Sequence, residues 1–484
     1  MNRFPISPAS RSLALAYAAI GGLLLLSGCK SLLAEQGFDA VAGMAGGALA
    51  KDVALIRTPA DAEVARDRVA GLLRRPLSAD NAVQLALLNN RGLQAAYNEL
   101  GFAEATLLEA SLPPNPTVAI SRLSGSVEIE IERKIVGSIL ALATLPARAE
   151  IARDRFRQAQ LRAADETLRL ATQTRRDYYR AVTAREAVRF LEEANASAET
   201  ATKLARRLGE TGAMNKLDQA REQVFYAEIA AQLATARQRA SSERERLVRS
   251  LGLWGGDLDF RLPDALPSLP ARPRTWPAIE QDAIAHRFDL QIMRMETAAL
   301  AKSYGLTNAT RFVSLLDLAG RDKTIKDKVT GEKIRESGFE IEFQIPIFDF
   351  GEARVRQVEE SYMQAVNRLT EKAVNVRSEA RDAYRTYRST YDIARHYERE
   401  VLPLRKIISD ETLLRYNAML IDVFDLLLEA RQRIMATIAA IEAKRDFWLA
   451  SADLVSAVVG GGAGGGEGSM PRVAADSSGS AAAH

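Results

Sequence analysis

Cysteine, histidine and aromatic residues are all scarce in this chain. One cysteine in 484 residues makes an internal disulfide impossible, and with only three histidines Cys/His metal sites are nearly excluded. Aromatic residues make up 6%, too few for the usual core of a sandwich or a mixed α/β enzyme. Charge of one sign is also lacking. The net charge is +3, and Arg3 and Arg11 lie in a segment expected to be removed. A nearly neutral mature chain argues against nucleic acid or an anionic membrane surface as the main partner. Catalytic motifs are missing as well. Gly252-Leu253-Trp254-Gly255-Gly256 lacks the Lys-Ser/Thr of a phosphate loop and reads as a helix end. His286 and His396 are lone histidines in helical stretches, more often structural than ligating. The expectation is therefore no enzyme, no cofactor and no metal.

What is abundant is Ala, Leu, Glu, Gln and Arg, the residues of long helices. The chain opens with a basic Arg3/Arg11 region and an apolar stretch over 13–26, too short for a comfortable transmembrane helix. Leu26-Ser27-Gly28-Cys29 follows and resembles the bacterial lipobox. Residues 1–28 then form a signal peptide, and Cys29 carries the acyl chains, palmitate among them, that hold a lipoprotein in a leaflet. Lys30, where inner-membrane lipoproteins carry Asp, favours the outer membrane by resemblance. Residues 29–76 form a lipidated N-terminal arm.

Beyond the arm the chain repeats itself. Ala86-Leu87-Leu88-Asn89-Asn90-Arg91-Gly92-Leu93-Gln94 resembles Ala283-Ile284-Ala285-His286-Arg287-Phe288-Asp289-Leu290-Gln291. Arg176-Asp177-Tyr178-Tyr179-Arg180 resembles Arg381-Asp382-Ala383-Tyr384-Arg385, and Gly212-Ala213-Met214-Asn215-Lys216-Leu217-Asp218 lines up with Met419-Leu420-Ile421-Asp422-Val423-Phe424-Asp425. Three matches in the same order, offset by about 200 residues, define a duplication. The units are 77–256 and 276–458, joined by a Pro-rich linker, 257–275, and followed by a Gly/Ser/Ala tail, 459–484, expected to be disordered. Each unit has one order of parts: a helix (78–111; 276–304), two short strands, an uninterrupted long helix (147–207; 352–416), a break, and an ascending helix. At ~1.5 Å per residue the long helices reach on the order of 90 Å and require coiled-coil neighbours.

Val127-Glu128-Ile129-Glu130-Ile131-Glu132 and Phe339-Glu340-Ile341-Glu342-Phe343-Gln344-Ile345 alternate strictly, which puts apolar residues on one face and carboxylates on the other. Ser124-Gly125 reads as a hairpin turn, with 117–123 the partner strand. In the second unit the partner is 311–318, connected through a charged loop, 321–337. A transmembrane strand needs ~9–11 residues, and open edges are forbidden in lipid. Four strands cannot close a barrel, so either three copies share one of twelve strands or the strands are a soluble hairpin pair. Glu128, Glu130, Glu132, Glu340 and Glu342 would make an acidic lumen in the first case and a plain solvated face in the second.

Leu112-Pro113-Pro114-Asn115-Pro116, Ala285-His286-Arg287-Phe288-Asp289-Leu290 and Pro346-Ile347-Phe348-Asp349-Phe350-Gly351 resemble motifs of the TolC-like outer-membrane efflux factors, with Phe288 in place of the usual Pro. The resemblance implies a mainly α fold with a small β part. Long antiparallel helical hairpins would form an α-barrel or coiled coil, and four strands per chain would join a trimeric twelve-stranded transmembrane β-barrel. The implied role is a passive exit duct of a tripartite efflux or secretion system, lipid-anchored in the outer membrane and extending into the periplasm. Its partners would be identical subunits, outer-membrane lipid, a periplasmic adaptor, and an inner-membrane transporter of the RND or ABC type. A non-conducting periplasmic coiled-coil scaffold is the alternative. The helical tips, with Gly209, Gly212, Asn215 and Asp218 in one unit and Asn417 and Met419 in the other, would dock the adaptor. By the same resemblance Asp425, with Asp422 one turn earlier and Tyr416 before the turn, would ring a periplasmic gate. Asp422 and Asp425 also read as first-turn acids complementing a helix dipole.

Overall fold

The computed structural model describes residues 36–461. An N-terminal arm packs on the first unit through α1 (Gln36–Val41), a π segment (Ala42–Gly46) and α2 (Pro59–Leu73). Phe38 meets Tyr97 edge to face at 5.0 Å, and a Thr58/Asp61 capping box starts α2. The first unit runs α3 (Ala79–Asn89), α4 (Arg91–Ser111), β1 (Thr117–Ser124), β2 (Glu128–Ser138), α5 (Ile139–Ala143), α6 (Leu145–Glu210) and α7 (Lys216–Leu251). The second runs α8 (Ile279–His286), α9 (Phe288–Ala309), β3 (Leu315–Asp327), β4 (Lys333–Gln344), α10 (Glu352–His396), a π segment (Tyr397–Val401), α11 (Leu402–Asn417) and α12 (Val423–Val459). The 66 residues of α6 extend about 100 Å at ~1.5 Å each.

The duplication is geometric as well as sequential, and it corrects the expectation of one continuous first helix per unit. Each is broken at the same aligned position. Asn90 caps α4 by accepting the Leu93 N–H, while its amide donates to the Ser250 carbonyl. Asn89 donates to the Gly252 carbonyl at 2.7 Å. Gly252, at φ +69°, ends α7 so close to this break that a Cβ would lie 3.0 Å from the Asn90 Cα. In the second unit Arg287 stands at the break, almost wholly buried. Its guanidinium binds Asp289 at 2.9 Å and Glu379 of α10 at 2.5 Å, and Lys372 binds Asp289 at 2.8 Å. Burial works against the Asp289 carboxylate, yet the Arg287 and Lys372 charges together hold it below the usual range.

The second long helix is not uninterrupted. Pro403 lacks the N–H that would continue the ladder, and the π segment Tyr397–Val401 takes up the mismatch one turn before it. The Pro-rich linker is tied down. Tyr391 donates to the Pro270 carbonyl at 3.0 Å, Trp448 to that of Pro267 at 3.2 Å, and Phe260, Leu262 and Leu266 join the main core with Leu85, Tyr178, Val182 and Leu247. Gly460 and Gly461, placed in a tail expected to lack packing, rest on α6, where the Gly461 N–H donates to Asp165 at 2.9 Å. Burial pushes that Asp165 carboxyl up.

The four strands form one antiparallel sheet in the order β1-β2-β3-β4. The registers pair Thr117 with Val136, Val136 with Ala319 and Ala319 with Glu340, so both hairpins join edge to edge through β2 and β3. The charged segment 321–337, expected as a loop, is largely strand; the turn spans only 328–332. Its alternating charges find partners across β2, which is why so polar a stretch remains extended. The exit from β4 is a tight turn. The Asp349 carboxylate accepts the Gly351 N–H at 3.0 Å, and at Gly351 (φ +75°) a Cβ would fall 2.2 Å from the Arg311 carbonyl oxygen. No helix among the described residues is long and apolar enough to cross a membrane.

Candidate functional site

Two regions, at opposite ends of the long helices, carry the residues singled out by sequence. The first is the sheet. Alternation puts Glu128, Glu130, Glu132, Glu340 and Glu342 on one face, together with Lys134, Arg321 and Lys323. Lys323 pairs with Glu130, Arg321 with Glu132, and Lys134 with Glu340 at 3.1 Å. The face is therefore of mixed charge, and Glu128 and Glu342 alone of the five expected acids have no ion-pair partner among the described residues. Arg321 and Lys323 were missed as site residues because 321–337 looked like a loop, although their alternation with Asp322 and Thr324 was the available signal; Lys134 was missed because the alternating strand was read only to Glu132.

The opposite face is apolar at its helix-proximal end. Val118, Ile135 and Phe339 share one row, with Leu318 beside Ile341 and Leu316 beside Phe343 below. Most of these side chains are exposed, Phe339 to 78% and Val118 to 61%. Just below, the turn out of β4 exposes Ile347, Phe348 and Phe350, with Phe348 98% exposed. At ~25 cal/mol per Å² so much uncovered apolar surface calls for a partner phase. Both outer strands, β1 and β4, also keep one unpaired edge.

The second region is the pair of helical tips, which are near copies. In the first, the Thr211 N–H donates to the Arg207 carbonyl, Gly212 to Gly209 and Ala213 to Leu208. In the second, Ala418 donates to Leu414, Met419 to Tyr416 and Leu420 to Arg415. Both chains turn through a left-handed residue, Gly212 at φ +75° and Met419 at φ +57°. Asn417, the last residue of α11, is exposed. Asn215 then caps α7 by accepting the Asp218 N–H at 2.9 Å, and Asp422 caps α12 by accepting the Asp425 N–H at 3.0 Å. Asp422 thus precedes the helix as its cap and Asp425 occupies the first turn; Tyr416 is half-buried on the other side of the bend. Gly209 lies under Gln219, whose amide a Cβ at that position would strike.

The tips touch one another where Arg221 stacks over Phe424 at 4.8 Å. Above that contact Ala198, Phe225, Ile229 and Leu427 close the seam between the two hairpins. Arg431 crosses it to Glu228 at 3.1 Å. Two aligned acids lie buried beside it. Glu429 is held by Arg405 at 3.2 Å, whereas Glu222 has no ion-pair partner among the described residues; one oxygen of each lacks a hydrogen bond, and burial pushes the Glu222 carboxyl up. Sequence reading passed over both, since periodicity marks which face is buried and not which polar residue shares it. Cys29 lies outside the described residues.

A sheet of two joined hairpins set on antiparallel helical hairpins about 100 Å long defines the fold of TolC-like outer-membrane channels. Solved structures with this fold include the Campylobacter jejuni CmeC outer membrane channel, 18% identical with a TM-score of 0.68, covering 79% of this chain and 86% of that one. CusC, described in terms of folding and transmembrane channel formation, is 17% identical with a TM-score of 0.66, over 81% and 92% of the two chains. The open state of the Neisseria gonorrhoeae MtrE outer membrane channel is 16% identical with a TM-score of 0.63, over 78% and 88%. By sequence comparison neither a family model nor a curated protein matches the chain.

Proposed function

We propose that this protein is the outer-membrane exit duct of a tripartite efflux or secretion system, anchored through Cys29. The observation that carries the reading is the sheet: one face with an exposed apolar band at its helix-proximal end, one face of paired charges, and two open edges. In lipid an open edge leaves backbone groups unsatisfied, so β4 of one copy must pair with β1 of the next. Three copies close a barrel of twelve strands, turning the face with the apolar band to lipid and the ion-paired face to the lumen. Below it the helical hairpins of three copies enclose a tunnel through the periplasm. The duct conducts passively, and its tips meet a periplasmic adaptor that couples it to an inner-membrane transporter of the RND or ABC type.

At the tips we assign Asp425, with the cap Asp422 beside it and Tyr416 across the bend, to the periplasmic constriction. Three-fold symmetry would repeat these carboxylates around the axis, a ring that favours cations. Gly209, Gly212, Asn215, Asp218, Asn417 and Met419 line the adaptor-facing turns. The test is planar-bilayer conductance of the purified protein. A heat-resistant trimer with discrete conductance is expected, and a non-conducting monomer or dimer would refute the duct. Asp422→Asn/Asp425→Asn should weaken block by multivalent cations, and unchanged block would remove the gate assignment.

A further inference from the structure

The outward face of the sheet changes character halfway along its strands. Above the row of Val118, Ile135 and Phe339 lies a row formed by Ile120, Arg133, Asp322 and Ser337. The next contains Arg122, Ile131, Thr324 and Arg335, and the one beyond it Ser124, Ile129, Lys326 and Lys333. Five basic residues, all exposed, thus share the distal half of this face with a single acid, Asp322. The geometry points to a seat for phosphate-bearing lipid headgroups of the outer leaflet, built by Arg122, Arg133, Lys326, Lys333 and Arg335. This rests on the membrane reading above, which sets the apolar rows at acyl-chain depth and these rows at headgroup depth.

Three observations support it. The opposite face, on the same strands and at the same height, alternates sign and pairs Lys323 with Glu130 and Arg321 with Glu132. An ordinary solvated face of this sheet therefore looks different. Asp322 is gripped from both sides, by Arg133 at 3.3 Å and Arg335 at 2.6 Å, which sets two guanidinium groups at a fixed spacing. Guanidinium forks placed in this way suit phosphate oxygens. Finally, Lys326 and Lys333 stand directly opposite one another in the β3–β4 register. Like charges in that relation destabilise a hairpin, and an anion bound between them offsets the repulsion. Basic residues at a membrane surface also attract anionic lipid generally.

The experiment uses the full-length lipoprotein and measures its affinity for diphosphorylated lipid A against the dephosphorylated form, in neutral phosphatidylcholine vesicles. The wild type should prefer the phosphorylated lipid, and raising the salt should erode that preference. Arg122→Gln/Lys326→Gln/Lys333→Gln leaves the Asp322 clamp in place. With about three surface charges removed, it should weaken phosphorylated-lipid binding on the order of a hundredfold while leaving the dephosphorylated lipid unaffected. Equal affinity of the wild type for the two lipids overturns the seat, as does millimolar inorganic phosphate displacing the lipid as a free-anion site would. Because the acyl anchor alone would carry the protein with vesicles, protection of the four strands from added protease in neutral vesicles reads membrane insertion separately. A protein whose strands are protected but that shows no lipid preference loses only the seat, whereas one whose strands stay cleavable loses both readings.

Discussion

Met419 occupies a left-handed backbone position that its counterpart Gly212 fills without strain, and this makes the two tips a matched experiment. A non-glycine residue in that region costs ~1–2 kcal/mol. Met419 is 93% exposed, so its side chain contributes almost no burial to set against the strain. Replacing it with Gly relieves the strain but loosens the unfolded chain, an opposing effect of roughly 0.5–1 kcal/mol. The net expectation for Met419→Gly is a second tip more stable by about 0.5–1 kcal/mol against local opening. The mirror variant, Gly212→Met, should loosen the first tip by a similar or larger amount. Space is open around Gly212, so backbone strain alone is tested there. Amide hydrogen exchange is the assay, read at Ala418 and Leu420, whose N–H groups donate to Leu414 and Arg415. After correction for intrinsic rates, exchange there should slow by about two- to fivefold in Met419→Gly. Faster exchange in Met419→Gly, slower exchange at Thr211 and Ala213 in Gly212→Met, or no change in either variant, would refute the equivalence of the two turns.

Arg287→Met should cost roughly 1–3 kcal/mol, since the half-buried Asp289 then keeps only Lys372 while the part-exposed Glu379 turns to water; a midpoint of chemical unfolding near that of the wild type would contradict this. Because burial raises the Glu222 carboxyl in the folded protein, the folded state holds its proton more tightly than the unfolded one. The seam between the hairpins therefore loses stability as pH rises from the unfolded value through the folded one, and Glu222→Gln should flatten that dependence in pH-resolved exchange at Phe225. Gly351→Ala should destabilise the entry to α10 by more than about 1 kcal/mol, as the new Cβ would meet the Arg311 carbonyl and the positive φ is lost to it; protease sensitivity at 346–351 would report it.

Local patterns in the sequence determined the repeated order of parts, the hairpin at Ser124-Gly125 and the alternating acids of β2 and β4. Each depends on residues close together in the chain: turn chemistry, period two, and helical runs without breakers. Where a local signal was overlooked, as at Pro403, the expected uninterrupted helix was wrong for a reason already present in the sequence. The tertiary structure decided what depends on distant partners. Segment 321–337 is extended because the basic residues of β3 find acids on β2, a pairing that a charged stretch alone does not reveal. The first helix of each unit breaks at Asn90 and Arg287 because those side chains bind α7 and α10. Glu222 is buried because two hairpins close over it. The outward face of the sheet divides into apolar and basic halves only once the register is known, since a shift of one residue would turn each side chain to the other side.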